Sequence, residues 1–74
     1  MQKFVIQYSL EKGLVVERTV EAESREEVAA LALSEKIVQF DDIFGELNLF
    51  NKDDVKLVKI KDYIEPVTTS RKGG

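Results

Sequence analysis

The amino-acid sequence predicts a small α+β protein with the element order ββαββ, in which one helix packs across a four-stranded sheet. Apolar residues alternate with polar ones near the start of the chain, which is the pattern of a half-buried strand. An alanine- and leucine-rich segment after Ser24 has the composition of a helix, and two later apolar runs flank the turn-forming segment 51–54. A chain of 74 residues is long enough for one domain with a single core.

The first two predicted strands form a hairpin. Residues 3–10 place their even-numbered side chains on one face, which we expect to be buried. Gly13 suits the left-handed position of a three-residue loop, and residues 14–21 return as the second strand. Arg18 falls on the apolar face of this strand, so we expect it near a sheet edge with its guanidinium group in water.

The helix is predicted to begin after Ser24 and to end at about Lys36. Ser24 and Glu27 have the spacing of a capping box, in which the serine hydroxyl accepts from the Glu27 amide and the Glu27 carboxylate reaches back to the Ser24 amide. The apolar stripe of this helix is centred on Val28, Leu31 and Ala32. We therefore expect one face of the helix to lie on the sheet.

The second half of the chain leaves two arrangements open. Residues 37–40 form either a short strand or the frayed end of the helix, and residues 46–50 and 55–61 are predicted strands. The last strand either runs parallel beside the first in a mixed four-stranded sheet, or two successive hairpins build an antiparallel sheet under the helix. We expect a domain over residues 1–66 and a flexible tail over residues 67–74.

The composition argues against several classes of function. The chain has no Cys and no His, so the usual zinc ligands and the commonest general base are missing, and we expect neither an enzyme nor a cofactor. A net charge of −3 disfavours nucleic acid as a partner, and Lys56, Lys59 and Lys61 are expected to form a solvated strand face. No apolar run has the length of a membrane-spanning helix. These observations predict a cytoplasmic monomer.

Two acidic segments have candidate roles outside catalysis. The adjacent carboxylates of residues 41–42 and 53–54 are expected in turns and caps, because neighbours on a strand point to opposite faces and do not form an acid–base pair. Asp42, Ile43 and Phe44 join an acidic side chain to two large apolar ones. This combination predicts either an interaction loop or a plug for the end of the small core.

The most specific feature of the chain is its last segment, Arg71-Lys72-Gly73-Gly74. Because glycine has no side chain, such a tail can lie extended in a narrow channel and present the Gly74 carboxylate to an enzyme. Together with the first strand from Met1, a capped helix and the acidic turn of residues 52–55, this tail resembles ubiquitin-like β-grasp proteins, which comprise protein modifiers and sulfur carriers.

That resemblance implies a mechanism in which the domain itself does no chemistry. An E1-like activating enzyme would adenylate the Gly74 carboxylate, and the acyl group would pass to a thiol and then to an acceptor protein or a sulfur acceptor. Gly73 and Gly74 would give steric access, while Arg71 and Lys72 would guide the tail into an acidic groove of the enzyme. The β-grasp arrangement itself would place the last strand parallel to the first.

A second hypothesis assigns the function to the surface of the domain. Small acidic proteins of phages and mobile elements bind and regulate host proteins without chemistry of their own, and the acidic balance and size of this chain suit that role. The partner would then be a host target protein, and the tail would be dispensable. Deleting Gly74 separates the two hypotheses. A subunit of a larger assembly, or a domain of a longer chain, is the remaining alternative.

Overall fold

The computed structural model describes residues 1–64 and confirms the α+β class. Five strands and one α-helix follow the order ββαβββ, with short 3₁₀ turns after the first and fourth strands. The elements are β1 (Gln2–Ser9), β2 (Val15–Ala22), α1 (Arg25–Ser34), β3 (Ile37–Asp41), β4 (Leu47–Asn51) and β5 (Leu57–Asp62). The segment left open between a strand and a frayed helix end is therefore a strand.

The strands form two antiparallel sheets, so the predicted single four-stranded mixed sheet is wrong, and the antiparallel alternative is right about strand direction but not about a single sheet. One sheet has the order β2-β1-β5, and the other is the hairpin of β3 and β4. In the first sheet Phe4 lies opposite Val20 on β2 and opposite Asp62 on β5, with both neighbours antiparallel to β1. The physical reason is the strand β3, because its hairpin with β4 adds one chain reversal. The last strand therefore runs antiparallel to β1 instead of parallel to it.

The hairpin loop between β1 and β2 matches the sequence prediction. Gly13 has a φ of 75°, and Lys12 before it has a φ of 62°, so both residues lie in the left-handed region. The loop is closed by the Leu10 amide, which donates to the Leu14 carbonyl oxygen at 2.7 Å. Because β1 pairs with both β2 and β5, it lies in the centre of the three-stranded sheet.

The helix and the β3–β4 hairpin cover the same face of the sheet. Phe4, Ile6 and Tyr8 on β1 are buried as predicted, whereas Leu10, the last even-numbered residue of the predicted strand, lies after β1 and is half-buried. The Tyr8 ring packs against two aromatic rings of the hairpin, with its centroid 6.0 Å from that of Phe40 and 5.2 Å from that of Phe50. The helix contributes Val28 and Ala32 to the same core. The buried cluster consists of Phe4, Ile6, Tyr8, Ala22, Val28, Val38 and Phe40.

The helix begins with a cap that differs by one residue from the predicted capping box. The Ser24 hydroxyl accepts from the Glu27 amide at 3.2 Å, as expected, but the Glu27 carboxylate accepts from the Glu23 amide at 2.9 Å. The helix ends at Ser34, two residues before the expected Lys36, and Glu35 takes an extended conformation. This early end leaves Glu35 beside β2.

Arg18 lies on the edge strand β2, as predicted, but its guanidinium group does not extend into water, so that part of the prediction is wrong. Its guanidinium Nη1 donates to Glu35 Oε1 at 2.9 Å and to the Tyr8 hydroxyl at 3.4 Å, and its Cζ lies 5.6 Å from the centre of the Phe40 ring. Burial raises the pKa of the Tyr8 phenol, against the opposing effect of its hydrogen bond from Arg18. Because the helix ends early, the Glu35 carboxylate lies beside Arg18 and compensates the charge of the partly buried guanidinium group.

Candidate functional site

The β3–β4 hairpin has apolar side chains on both faces. Cross-strand partners pair Gln39 with Leu49, so odd-numbered residues point outward and even-numbered residues point to the core. The outward residues Ile37, Leu47 and Leu49 are 58%, 60% and 62% exposed. A two-stranded sheet with one side on the core normally places polar side chains on the other. Three large aliphatic residues on the open side therefore need an explanation beyond stability.

Asp42 builds the tip of the hairpin. Its Oδ1 accepts from the amides of Phe44 and Glu46 at 2.9 Å each, and its Oδ2 accepts from the Asn48 side-chain amide at 3.0 Å. Gly45 completes the turn with a φ of 77°. These hydrogen bonds hold the pKa of Asp42 below its usual range. The Glu46 amide has the largest effect, followed by Asn48 and Phe44. The role predicted for this carboxylate in a turn is confirmed.

This turn exposes two large apolar side chains at the tip. Ile43 is 84% exposed and Phe44 is 80% exposed, so the interpretation of this loop as a plug for the core is wrong. The hydrogen bonds to Asp42 fix the loop backbone, while the aromatic contacts of Phe40 and Phe50 already fill the space beneath the hairpin. We call the five exposed residues Ile37, Ile43, Phe44, Leu47 and Leu49 the hairpin patch.

The hairpin is also acidic. Residues 37–51 contain Asp41, Asp42 and Glu46 and no Lys or Arg, while the whole chain has a net charge of −3. The contribution of the hairpin is thus as large as the net charge of the chain. The charged side chains of the hairpin are thus all negative, while Lys36 and Lys52 pair through their backbones at its base, 2.9 Å from the Lys52 amide to the Lys36 carbonyl oxygen.

Two grooves lie along the hairpin on the side of β4. The tip groove has a volume of about 350 Å³ and lies between β2 and the hairpin tip. The base groove has a volume of about 310 Å³ and lies between the β1–β2 loop and Phe50. The tip groove is lined by Val15, Val16, Glu17, Thr19, Asp42, Ile43, Phe44 and Asn48. The base groove is lined by Leu10, Glu11, Leu14, Phe50 and Asp54.

The other residues singled out from the sequence lie away from the hairpin patch or outside the described range. Arg71, Lys72, Gly73 and Gly74 lie outside residues 1–64. The three lysines at positions 56, 59 and 61 are exposed, as expected for a solvated face. Residues 53–54 belong to the 3₁₀ turn that leads into β5, in agreement with their predicted role in a turn.

The described residues contain few features of a chemical site. Over residues 1–64, no three His, Cys, Asp or Glu side chains come together as candidate metal ligands. Within the same range, no helix is long and apolar enough to cross a membrane. What the domain offers is a surface, formed by the tip and outward face of the hairpin and by the grooves beside it.

The sequence indicated only part of this surface. It singled out Asp42, Ile43 and Phe44 but did not identify the outward face of the hairpin. The signal was available in β4, where Leu47 and Leu49 alternate with Asn48 and Phe50, so that apolar residues occur at both parities. In β4 the side chain of Phe50 packs against the core, whereas Leu47 and Leu49 form an apolar surface on the opposite face.

Comparisons with known proteins give no further guide to the role of this surface. The chain has no significant match among protein-family models, among curated proteins or among solved structures.

Proposed function

We propose that this protein is a binding module that attaches to another protein through the hairpin patch. The observation that carries the proposal is the combination of a rigid turn with two large apolar side chains at its tip, which are 84% and 80% exposed. Large apolar groups that are grouped, exposed and rimmed by polar residues are typical of protein–protein interaction sites. A fixed loop also loses little conformational entropy on binding.

The charge of the hairpin narrows the chemistry of the partner. Three carboxylates and no cation lie between residues 37 and 51, so a basic partner surface gains electrostatic attraction and an acidic one is repelled. This supports the hypothesis of a small acidic protein that regulates a host protein through its surface. The binding face of that partner would present an apolar pocket for Phe44 with Lys or Arg at its rim.

Affinity capture from the source cell with a matched pair of variants tests this proposal. Phe44→Ser removes the aromatic side chain at the tip, and Leu33→Ser removes a side chain of the same 80% exposure from the helix. A protein captured by the wild type and by Leu33→Ser, but not by Phe44→Ser, supports binding through the hairpin patch. Equal capture by all three chains contradicts it.

The protein modifier or sulfur carrier remains a second candidate, favoured by the segment Arg71-Lys72-Gly73-Gly74. The antiparallel pairing of β1 with β5 lends this candidate no support, because the β-grasp arrangement needs a parallel pair at that position. Deleting Gly74 separates the two candidates. The deletion abolishes activation and transfer if the tail is the functional site, and it leaves capture through the hairpin patch unchanged.

A further inference from the structure

The edge of β4 has backbone groups that point away from its own hairpin. Antiparallel strands bond to each other through alternate residues. In this hairpin the even-numbered residues form those bonds, as shown by the Asp42 amide, which donates to the Glu46 carbonyl oxygen at 2.9 Å. The N–H and C=O groups of Leu47, Leu49 and Asn51 therefore point outward from the edge of β4, and they have no backbone partner among the described residues.

The edge of β2 has the same property in the other sheet. Leu10 donates to Leu14 at 2.7 Å, and the register continues with even-numbered residues of β2 bonded to β1. The backbone groups of Val15, Glu17 and Thr19 point away from β1. These three residues also line the tip groove, so the outward edge of β2 forms one wall of that groove.

The two grooves follow each other along β4, and we call them together the trough. β4 contributes Asn48 to the tip groove and Phe50 to the base groove, whereas β2 and the loop before it supply the opposite walls. No residue of Ile37–Asp41 lines either groove, so the trough lies on the β4 side of the hairpin. The trough is thus bordered on one side by the outward edge of β2 and on the other by β4, whose edge away from β3 is not paired within residues 1–64.

β4 lacks the features that protect strand edges from pairing with another chain. Exposed edges are usually blocked by charged side chains, proline or a bulge. The β5 edge has Lys59 and Lys61, and β2 has charged residues along its length. Leu47–Asn51 contains no charged residue and no proline. The β3 edge has Asp41 at its end, so within residues 1–64 the edge of β4 is the one without a charged residue or proline and is open to an added strand.

We propose that the partner inserts an extended, basic segment into this trough as an added strand on β4. This inference rests on the proposed function and names the mode of binding, in which main-chain hydrogen bonds give affinity and alternate side chains give specificity. The trough is lined by four carboxylates and by no Lys or Arg, which fits a segment with basic residues. The carboxylates are Glu11, Glu17, Asp42 and Asp54.

The lining also orders the side chains of the inserted segment. Side chains that point toward the core meet Leu10, Leu14 and Phe50 in the base groove, where apolar groups are preferred. Glu11 and Asp54 stand at the same groove, and neither makes an ion pair within residues 1–64. Glu17 Oε2 lies 3.6 Å from Lys61 Nζ, so the negative charge of Glu17 is partly compensated. We therefore expect a segment that alternates apolar and basic residues.

Amide exchange of the full chain tests the insertion with a defined probe. The probe is a synthetic peptide of about seven residues that alternates arginine and valine, long enough to span β4. We expect the outward amides of Leu47, Leu49 and Asn51 to exchange with water at least about tenfold more slowly when the peptide is bound. The control is the same peptide with glutamate in place of arginine, which leaves exchange unchanged.

Two proline variants locate the inserted strand. Leu49→Pro removes an outward amide from β4, and Gln39→Pro removes the outward amide opposite to it on β3, while both leave the bonds within the hairpin intact. We expect Leu49→Pro to lose the peptide and Gln39→Pro to retain it. Equal loss in both variants, or none in either, overturns the proposal. If Leu49→Pro does not fold, exchange in the wild type decides the matter.

Four further outcomes overturn the insertion without touching the proposed function. They are the absence of protection with millimolar peptide, equal protection by the glutamate peptide, protection in the unliganded protein that rises with its own concentration, and concentration-independent protection without peptide. The third result assigns the edge to a second copy, and the fourth assigns it to this chain. The proposed function fails separately, through equal capture by Phe44→Ser and Leu33→Ser.

Discussion

Arg18 Nη1 lies 2.9 Å from Glu35 Oε1, and this ion pair joins β2 to the residue that follows the last turn of α1. The two side chains are only 16% and 22% exposed, so water screens their interaction less than that of a surface pair. Arg18 also donates to the Tyr8 hydroxyl at the centre of the core. The pair therefore connects the end of the helix to the three-stranded sheet.

Glu35→Gln is expected to lower the free energy of unfolding by roughly 1–2 kcal/mol, because it leaves the Arg18 charge partly buried without its anion. Urea unfolding followed by circular dichroism measures the change. Glu21→Gln is the matched control on the exposed face of β2, with an expected effect within about 0.5 kcal/mol. Equal effects of the two substitutions would contradict the structural role of Glu35.

Phe50 and Leu49 are adjacent on β4 but point to opposite faces. Phe50→Ala is expected to cost about 2–4 kcal/mol of unfolding free energy, because it removes the ring that packs 5.2 Å from the centre of Tyr8. Leu49→Ala, at a position 62% exposed, is expected to cost less than about 0.5 kcal/mol. Thermal or urea unfolding of both variants checks the prediction. A large loss for Leu49→Ala would mean that the hairpin patch serves stability.

Ser24→Ala is expected to lower the free energy of unfolding by about 1 kcal/mol, because the Glu27 amide at the start of the helix loses its side-chain acceptor. Ser34→Ala, at the other end of the same helix, removes a hydroxyl that donates to the Leu31 carbonyl oxygen and is expected to cost less. Chemical unfolding of the pair compares the two ends. A smaller loss for Ser24→Ala than for Ser34→Ala would argue against the cap.

The lowered pKa of Asp42 predicts that the free energy of unfolding depends on pH in the acidic range. Because the pKa of Asp42 in the folded protein lies below its unfolded value, the carboxylate stabilises the fold above the unfolded pKa of about 3.9. This stabilisation is lost as the pH falls through the lowered native pKa. Urea unfolding at a series of acidic pH values should show a flatter dependence for Asp42→Asn than for the wild type.

Asp41→Asn is the control for this pH experiment, since Asp41 is exposed beside Asp42 and accepts none of the three hydrogen bonds at the tip. We expect its pH dependence to stay close to that of the wild type. If Asp41→Asn flattens the pH dependence of the unfolding free energy as much as Asp42→Asn does, the role of Asp42 at the tip is contradicted.

The sequence was sufficient where structure is set by neighbouring residues. The period of β1, the left-handed Gly13 and the Ser24 cap all follow from side-chain alternation, backbone sterics and local hydrogen bonds. The α+β class follows from those elements. The described strands, with the exception of β3, lie close to their predicted positions for the same reason.

The sheet arrangement was not predictable because it depends on one short segment. Residues 37–41 are only five residues long, and such a short, mainly apolar segment is compatible with a strand or a helix end. Once this segment pairs with β4, one more chain reversal places β5 antiparallel to β1. The direction of the last strand thus depends on whether residues 37–41 form a strand or the end of the helix, which the sequence pattern alone does not determine.

The environment of Arg18 and the exposure of the hairpin patch were missed for a related reason. Arg18 points inward because Glu35, 17 positions away in the sequence, lies beside it in the fold. Phe44 points outward because Asp42 closes the turn beneath it and the core is already filled by other rings. Both facts depend on tertiary contacts, which periodicity does not encode.

The most direct test of the account is the affinity of the captured, purified partner for two variants, measured by isothermal titration calorimetry. Phe44→Ser should weaken binding by about 30-fold or more, as expected for a central aromatic anchor worth at least about 2 kcal/mol. Leu33→Ser, which removes a side chain equally exposed at 80% from the helix, should leave the dissociation constant within about twofold of the wild type. Equal dissociation constants for the two variants would contradict the central claim that the hairpin patch is the binding site.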